Sequence, residues 1–120
     1  MGIRRAVPDL TSADLARSRN FYSDFLGFTV GMDMGWVVAF VSPDNPTAQV
    51  IVMDEDRTAD VQPDMTIEVD DVDRLRAQAV ELGYEMVHPL TDEPWGVRRF
   101  FVRDPDGNVV NVMSHLTPAG

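Results

Sequence analysis

Ser12-Ala13-Asp14-Leu15-Ala16-Arg17-Ser18-Arg19-Asn20-Phe21-Tyr22-Ser23-Asp24-Phe25-Leu26-Gly27-Phe28 is the stretch on which the fold turns. Ala13, Leu15, Ala16, Phe21, Tyr22, Phe25 and Leu26 place apolar groups on one stripe at helical spacing, which predicts a helix of about four turns over Ser12 to Leu26. Ser12 is the expected N-cap, Asp14 complements the dipole in the first turn, and Gly27 is a natural stop. Then the period changes. Phe28 to Met34, Trp36 to Val41 and Ala48 to Met53 are rich in β-branched and aromatic residues. Gly35 and the turn-rich Ser42-Pro43-Asp44-Asn45-Pro46 separate them, so they read as three sequential antiparallel strands.

The acidic stretch Asp54 to Pro63, with Glu55, Asp56 and Asp60, resembles a linker, and after it the order repeats. Met65 to Val69 reads as a strand, and Val72 to Leu82 as a helix with Leu75, Ala79 and Leu82 on its stripe, stopped by Gly83. Tyr84 to His88, Arg98 to Arg103 and Val109 to Ser114 read as strands. The last two are joined by Asp104-Pro105-Asp106-Gly107-Asn108, a sharp turn signal. Both helices end in Leu-Gly before an aromatic residue, Leu26-Gly27-Phe28 and Leu82-Gly83-Tyr84. The simplest account is an internal duplication of a β-α-β-β-β unit. Each half has about 60 residues, too few to bury a helix stripe and a sheet face well alone.

The chain has 120 residues, the size of one domain, with 44% hydrophobic and 25% charged residues and no cysteine. Disulfides, thiolate metal sites and a cysteine nucleophile are therefore excluded. Twenty acidic against ten basic residues give a net charge of −10, which makes nucleic acid a poor partner. No apolar run is long enough for a membrane span, and residues 1–10 lack the apolar core of a signal peptide, so the expected location is cytoplasmic. A phosphate-cradling Gly-rich loop and a Gly-x-Ser-x-Gly elbow are both absent.

Ser12-Ala13-Asp14-Leu15-Ala16-Arg17-Ser18, Phe21-Tyr22, Leu26-Gly27-Phe28, Ile67-Glu68-Val69-Asp70-Asp71-Val72-Asp73, Pro94-Trp95-Gly96 and Asp104-Pro105-Asp106-Gly107-Asn108 together resemble the vicinal oxygen chelate superfamily of glyoxalases, bleomycin resistance proteins and extradiol dioxygenases. The resemblance covers nearly the whole chain. It implies an α+β fold: a single domain over residues 1–120 in which two βαβββ modules, about 1–56 and 62–117, form curved mixed or antiparallel sheets around a cavity. It also implies a ligand held inside and a homodimer. Metal-dependent members hold a divalent cation with His, Glu or Gln on the first and last strands of each module. In this sequence the matching positions carry Val7 (or Asp9, with a slip of two residues), Asp64 and Asn111. None is a ligand typical of the family, and Val7 offers no donor at all.

Other candidates follow from alternation along the strands. Asp64, Thr66 and Glu68 share one face of their strand, while Met65, Ile67 and Val69 share the other and are expected to cover a helix. Asn111 and Met113 share a face with Val109 and His115. His88, before Pro89 at the end of a strand, reads as an edge or surface residue. Trp36 and Phe40 alternate on one strand, and Trp95 stands in the loop-like Glu93-Pro94-Trp95-Gly96. With Arg99, a partner for the carboxylates, the expected ligand-binding set is Trp36, Phe40, Asp64, Glu68, Trp95, Arg99, Asn111 and Met113, with no metal and no cofactor. Phe40, Phe100 and Phe101 are also candidates for the core.

Two functions are open at this stage. One is a metal-free binding protein of the bleomycin-resistance type that sequesters an aromatic or cationic compound, with antibiotic resistance as one setting. The other is an enzyme, a lyase, isomerase or dioxygenase-like member with an atypical site built from Asp9, Asp64, Asn111 and His115, with or without a divalent metal acting as Lewis acid.

Overall fold

The computed structural model describes residues 2–55 and 59–116, so Asp56 of the acidic stretch lies outside the described residues. The chain divides into two compact units, Val7–Gln62 and Met1–Ala6 with Pro63–Gly120. Strand β1 (Ile3–Thr11) runs through the first boundary.

In the unit Val7–Gln62, β1 leads to helix α1 (Leu15–Arg19), a π-helical segment (Asn20–Phe25), and strands β2 (Thr29–Asp33), β3 (Val37–Val41) and β4 (Gln49–Met53). β1 pairs in parallel with β4, and β4 with β3 and β3 with β2 pair antiparallel. The other unit repeats this plan with β5 (Met65–Val69), α2 (Val72–Leu82), β6 (Met86–Glu93), β7 (Val97–Arg103) and β8 (Val109–His115). Its order is β5-β8-β7-β6, again with a parallel first pair and two antiparallel pairs. The fold is therefore α+β, two βαβββ modules of identical strand order.

The first helix departs from expectation. Asp14, not Ser12, is its N-cap: the carboxylate accepts from the backbone N–H of Ala16 and Arg17 at 3.0 and 3.2 Å. A carboxylate also suits the dipole better than a hydroxyl does. Ser12 instead bonds the Asp14 backbone and the Ser18 hydroxyl. After Arg19 the helix widens, and the Leu26 N–H reaches back five residues to the Phe21 carbonyl at 3.0 Å. Tyr22 then stacks on Phe40 of β3 at 5.2 Å between centroids and meets Phe28 edge-on, while Phe25 stays 72% exposed. The second helix follows its signals closely. Asp71 caps it by accepting from the Arg74 N–H, and Gly83, at φ 80°, closes it as the Tyr84 N–H reaches the Ala79 carbonyl at 3.0 Å.

Each sheet presents one face to its own helix. Val38, Phe40 and Val52 pack with Leu15, Tyr22, Phe28 and Val50 in one unit. Val69, Phe100 and Val112 pack with Val72 and Ala79 of α2 in the other, with Ile67, Leu75 and Val110 around them. Phe40 is fully buried in the first of these clusters, which corrects its place among ligand contacts: its position faces the helix, and burial of an aromatic ring there is core packing. Trp36 lies before β3 and not on it, because Gly35 at φ 87° turns the chain there. β6 continues past His88 to Glu93, accommodating Pro89 through register shifts on an edge strand. Asp104 organises the β7–β8 turn, as its carboxylate accepts from the N–H of Asp106 and Asn108 at 2.9 Å each. Among the described residues no helix is long and apolar enough to cross a membrane.

Candidate functional site

The sheet face opposite α2 carries the polar chemistry of the unit that contains β5 to β8. Strand register arranges it in rows. Thr66, Asn111, Phe101 and His88 form the first, Glu68, Met113, Arg99 and Thr91 the second, and His115, Val97 and Glu93 the third. Alternation in β5 and β8 therefore holds as expected, with Ile67 and Val69 against the helix and Thr66 and Glu68 on the other side.

The first row holds a buried amide. Asn111 is 8% exposed and its Nδ2 donates to Thr66 Oγ1 at 3.1 Å, while its Oδ1 accepts no hydrogen bond among the described residues. A buried acceptor left unpaired is costly, so this atom is where a ligand N–H or O–H gains most. Asp64, at the level of Val109, accepts from the Val109 N–H at 2.8 Å through Oδ2. It thereby ties the starts of the two parallel strands together.

The second and third rows are joined by two charge clusters. Arg99, 4% exposed, lies 2.9 Å from Glu93 Oε2, and its guanidinium sits over the rings of Trp95 and Phe101 at 4.9 and 4.7 Å. Ion pairing and two aromatic faces together offset the desolvation of this cation. His88 packs its ring against Phe101 at 4.8 Å and places Nε2 3.9 Å from Glu93 Oε1. It is on the edge strand, as expected, but buried and not at the surface, because β6 carries on through the proline. Glu68 forms the other cluster. Its Oε1 accepts from Arg5 Nε at 2.5 Å and its Oε2 lies 2.9 Å from His115 Nδ1.

Burial raises the Glu68 pKa, but hydrogen bonds from His115 and Arg5 and their charges outweigh it, and the net shift is downward. A carboxyl with a lowered folded-state pKa contributes stability that is fully present above its unfolded value and is lost as pH falls through the folded value. Glu68→Gln is therefore expected to remove part of the stability at neutral pH and to flatten its decline below about pH 4.5, the ordinary carboxyl value. Urea midpoints measured from pH 7 down to pH 3 read this directly; parallel curves for the two proteins would show that the cluster is not formed.

Of the expected ligand set, Glu68, Trp95, Arg99, Asn111 and Met113 thus occur in one unit around one sheet face, with Asp64 at its margin. Trp36 and Phe40 belong to the other unit. Sequence reading missed Arg5 and Glu93. The signal for Glu93 was present in the alternation of Thr91 and Glu93 leading into Pro94-Trp95, but Pro89 obscured the strand. Arg5 shares strand parity with Val7 and Asp9.

The metal positions implied by the resemblance can now be tested on donor chemistry. Val7 has no donor and Asn111 is a neutral amide. Asp64 has one carboxylate oxygen committed to Val109. Asn111 and His115 are four residues apart on one strand, roughly 13 Å, too far to share an ion. Among the described residues no three His, Asp or Glu side chains are placed to hold a metal. This donor set does not fit the cation.

Two βαβββ modules of identical strand order define the class of fold. A model of the Glyoxalase/Bleomycin resistance protein/Dioxygenase superfamily matches residues 3–112, and the chain belongs to that superfamily. Among solved structures, it is similar to a superfamily member from Vibrio splendidus 12B01, with TM-score 0.71, 20% identity, and 94% of this chain and 99% of that one covered. An uncharacterized protein from Methanosarcina mazei gives TM-score 0.65 at 24% identity over 100% and 98% of the two chains. The E323L mutant of homoprotocatechuate 2,3-dioxygenase from Brevibacterium fuscum gives TM-score 0.71 at 25% identity, covering 98% of this chain but 34% of the dioxygenase. This chain thus spans about a third of that enzyme's length. No curated protein matches the sequence.

Proposed function

We propose that this protein is a metal-free small-molecule binding member of the superfamily, and that its ligand is a planar aromatic compound carrying a hydrogen-bond donor. The observation that carries this reading is the buried, unpaired Oδ1 of Asn111 on a face that also bears Trp95, Phe101 and Met113. Aromatic and thioether side chains favour a flat ligand by contact, and the amide oxygen selects for its donor. A cationic ligand is supported less well, since the half-buried Glu68 is already paired with Arg5 and the buried Glu93 with Arg99. The overall charge of −10 still favours cations at long range. Sequestration, an antibiotic-resistance role, a homodimer and a cytoplasmic location belong to the same proposal.

The test pairs two measurements on purified protein. Metal analysis with thermal shift against divalent cations is expected to show no stoichiometric ion and no rise in melting temperature, whereas a ligand binding only the folded state must raise it. Aromatic phenols and anilides titrated against tryptophan fluorescence are expected to bind, and Trp95→Ala to weaken them about tenfold, the loss of one ring contact. A tightly held metal would favour instead the enzyme reading, with a Lewis acid at an atypical site. Unchanged affinity in Trp95→Ala for every compound that binds would remove the site assignment.

A further inference from the structure

We infer that His115, oriented by Glu68, is a general base able to take a proton from a planar aromatic carbon acid. The side chains make a relay that the binding reading does not use. Arg5 Nε donates to Glu68 Oε1 at 2.5 Å, and Glu68 Oε2 lies 2.9 Å from His115 Nδ1. Arg5 and Glu68 side chains are each 15% exposed, while that of His115 is 58% exposed. The carboxylate is ionised, so Nδ1 is the nitrogen that carries the hydrogen and donates it. That fixes the tautomer of the neutral ring and leaves the lone pair on Nε2, the other nitrogen of a side chain that is more than half exposed. A carboxylate behind the ring also stabilises the imidazolium formed when Nε2 takes a proton, the role such a group plays in catalytic triads.

A partly exposed histidine on a frayed strand end would lack this support. Here the end is tied down. Val97 opposes His115 across the β7–β8 pair, and the Leu116 N–H donates to the Gly96 carbonyl at 2.8 Å, so the turn bearing Trp95 is stitched to the residue after His115. The charged groups around His115 are Glu68 of β5, Arg5 of β1, and Arg99 of β7 with its partner Glu93 of β6. Both cations are held by carboxylates. The inference rests on the proposed binding face only for where a ligand lies; the proton transfer rests on the relay itself.

5-Nitrobenzisoxazole tests it, because its ring opening needs a base and nothing else. Nε2 takes the proton from carbon 3, the C–H electron pair completes a carbon–nitrogen triple bond, and the N–O bond breaks with its pair leaving on oxygen as the coloured phenolate. The proton then passes from Nε2 to solvent. Wild-type protein is expected to exceed free imidazole at the same pH by at least about tenfold per mole, with a rate that rises as Nε2 loses its proton. His115→Gln, at an exposed position that tolerates substitution, is expected to remove at least roughly nine-tenths of that rate and its rise with pH. Glu68→Gln is expected to lower the rate about tenfold while keeping the rise, since the ring remains but its tautomer and imidazolium are no longer held. A wild-type rate no better than imidazole, or a His115→Gln protein as fast as wild type, overturns the inference. An unchanged Glu68→Gln rate removes Glu68 from it as the positioning residue. A His115-dependent rate that stays linear in substrate, in a protein for which no aromatic compound shows binding, upholds the proton transfer and defeats the binding reading alone.

Discussion

Arg99→Met is expected to lower the unfolding free energy by about 3–5 kcal/mol. The guanidinium is 4% exposed and stands 2.9 Å from Glu93, itself 7% exposed, with Trp95 and Phe101 against its faces. Removing the cation leaves the Glu93 carboxylate buried without its ion pair, and the desolvation of that charge is then no longer offset. Lysine is no substitute, because a point charge on a flexible stem cannot present a flat face to two rings. Arg99→Met combined with Glu93→Leu is expected to recover most of the loss, since removing both charges removes the desolvation cost as well. Urea denaturation of the two single variants and the double variant gives the coupling. If the double variant were as unstable as the sum of the singles, the pair would not be interacting in the way its geometry indicates.

Phe40→Ala is the second large effect, again about 3–5 kcal/mol, with the melting temperature lowered by roughly 10–20 °C. Phe40 is fully buried between Val38 and Val52 on the sheet and stacks on Tyr22 at 5.2 Å. Its deletion leaves a cavity that a four-stranded sheet held by ladder hydrogen bonds cannot close. Phe25→Ala, on the same helical run but 72% exposed, is the matched comparison and is expected to change stability by less than about 0.5 kcal/mol. A Phe40→Ala protein within about 1 kcal/mol of wild type would mean that this face is not the core of its unit.

Strand parity explains how much of the site was legible. Thr66 with Asn111 and Glu68 with Met113 could be placed on one face by counting alternate residues, because side chains in a strand change sides at every step. Phe40 shows the limit of that counting. Alternation puts it on a face but does not say which face meets the helix, and only the packing of Tyr22 on β3 decides it. His88 failed for a different reason. Pro89 suggested a strand end, yet a proline on an edge strand sacrifices no ladder hydrogen bond if its N side faces away from the partner, so β6 continued to Glu93. The first helix misled in its final turns, where apolar spacing fits α and π winding almost equally and Tyr22 packing selects the wider one.

What the sequence determined by itself is local or periodic: the two βαβββ halves, the second helix with its Asp71 and Gly83 ends, and the Asp104 turn. Each follows from interactions within a few residues or from a repeating pattern, which a linear string contains in full. Only the tertiary structure decided that Arg99 pairs with Glu93, and that Arg5 reaches Glu68 across 63 positions to hold His115. Charges attract without regard to sequence distance, and twenty acidic residues offer every arginine several partners. The fold of one unit selects among them, because it holds Arg5 and Glu68 together and sets β6 beside β7, which brings Glu93 to Arg99.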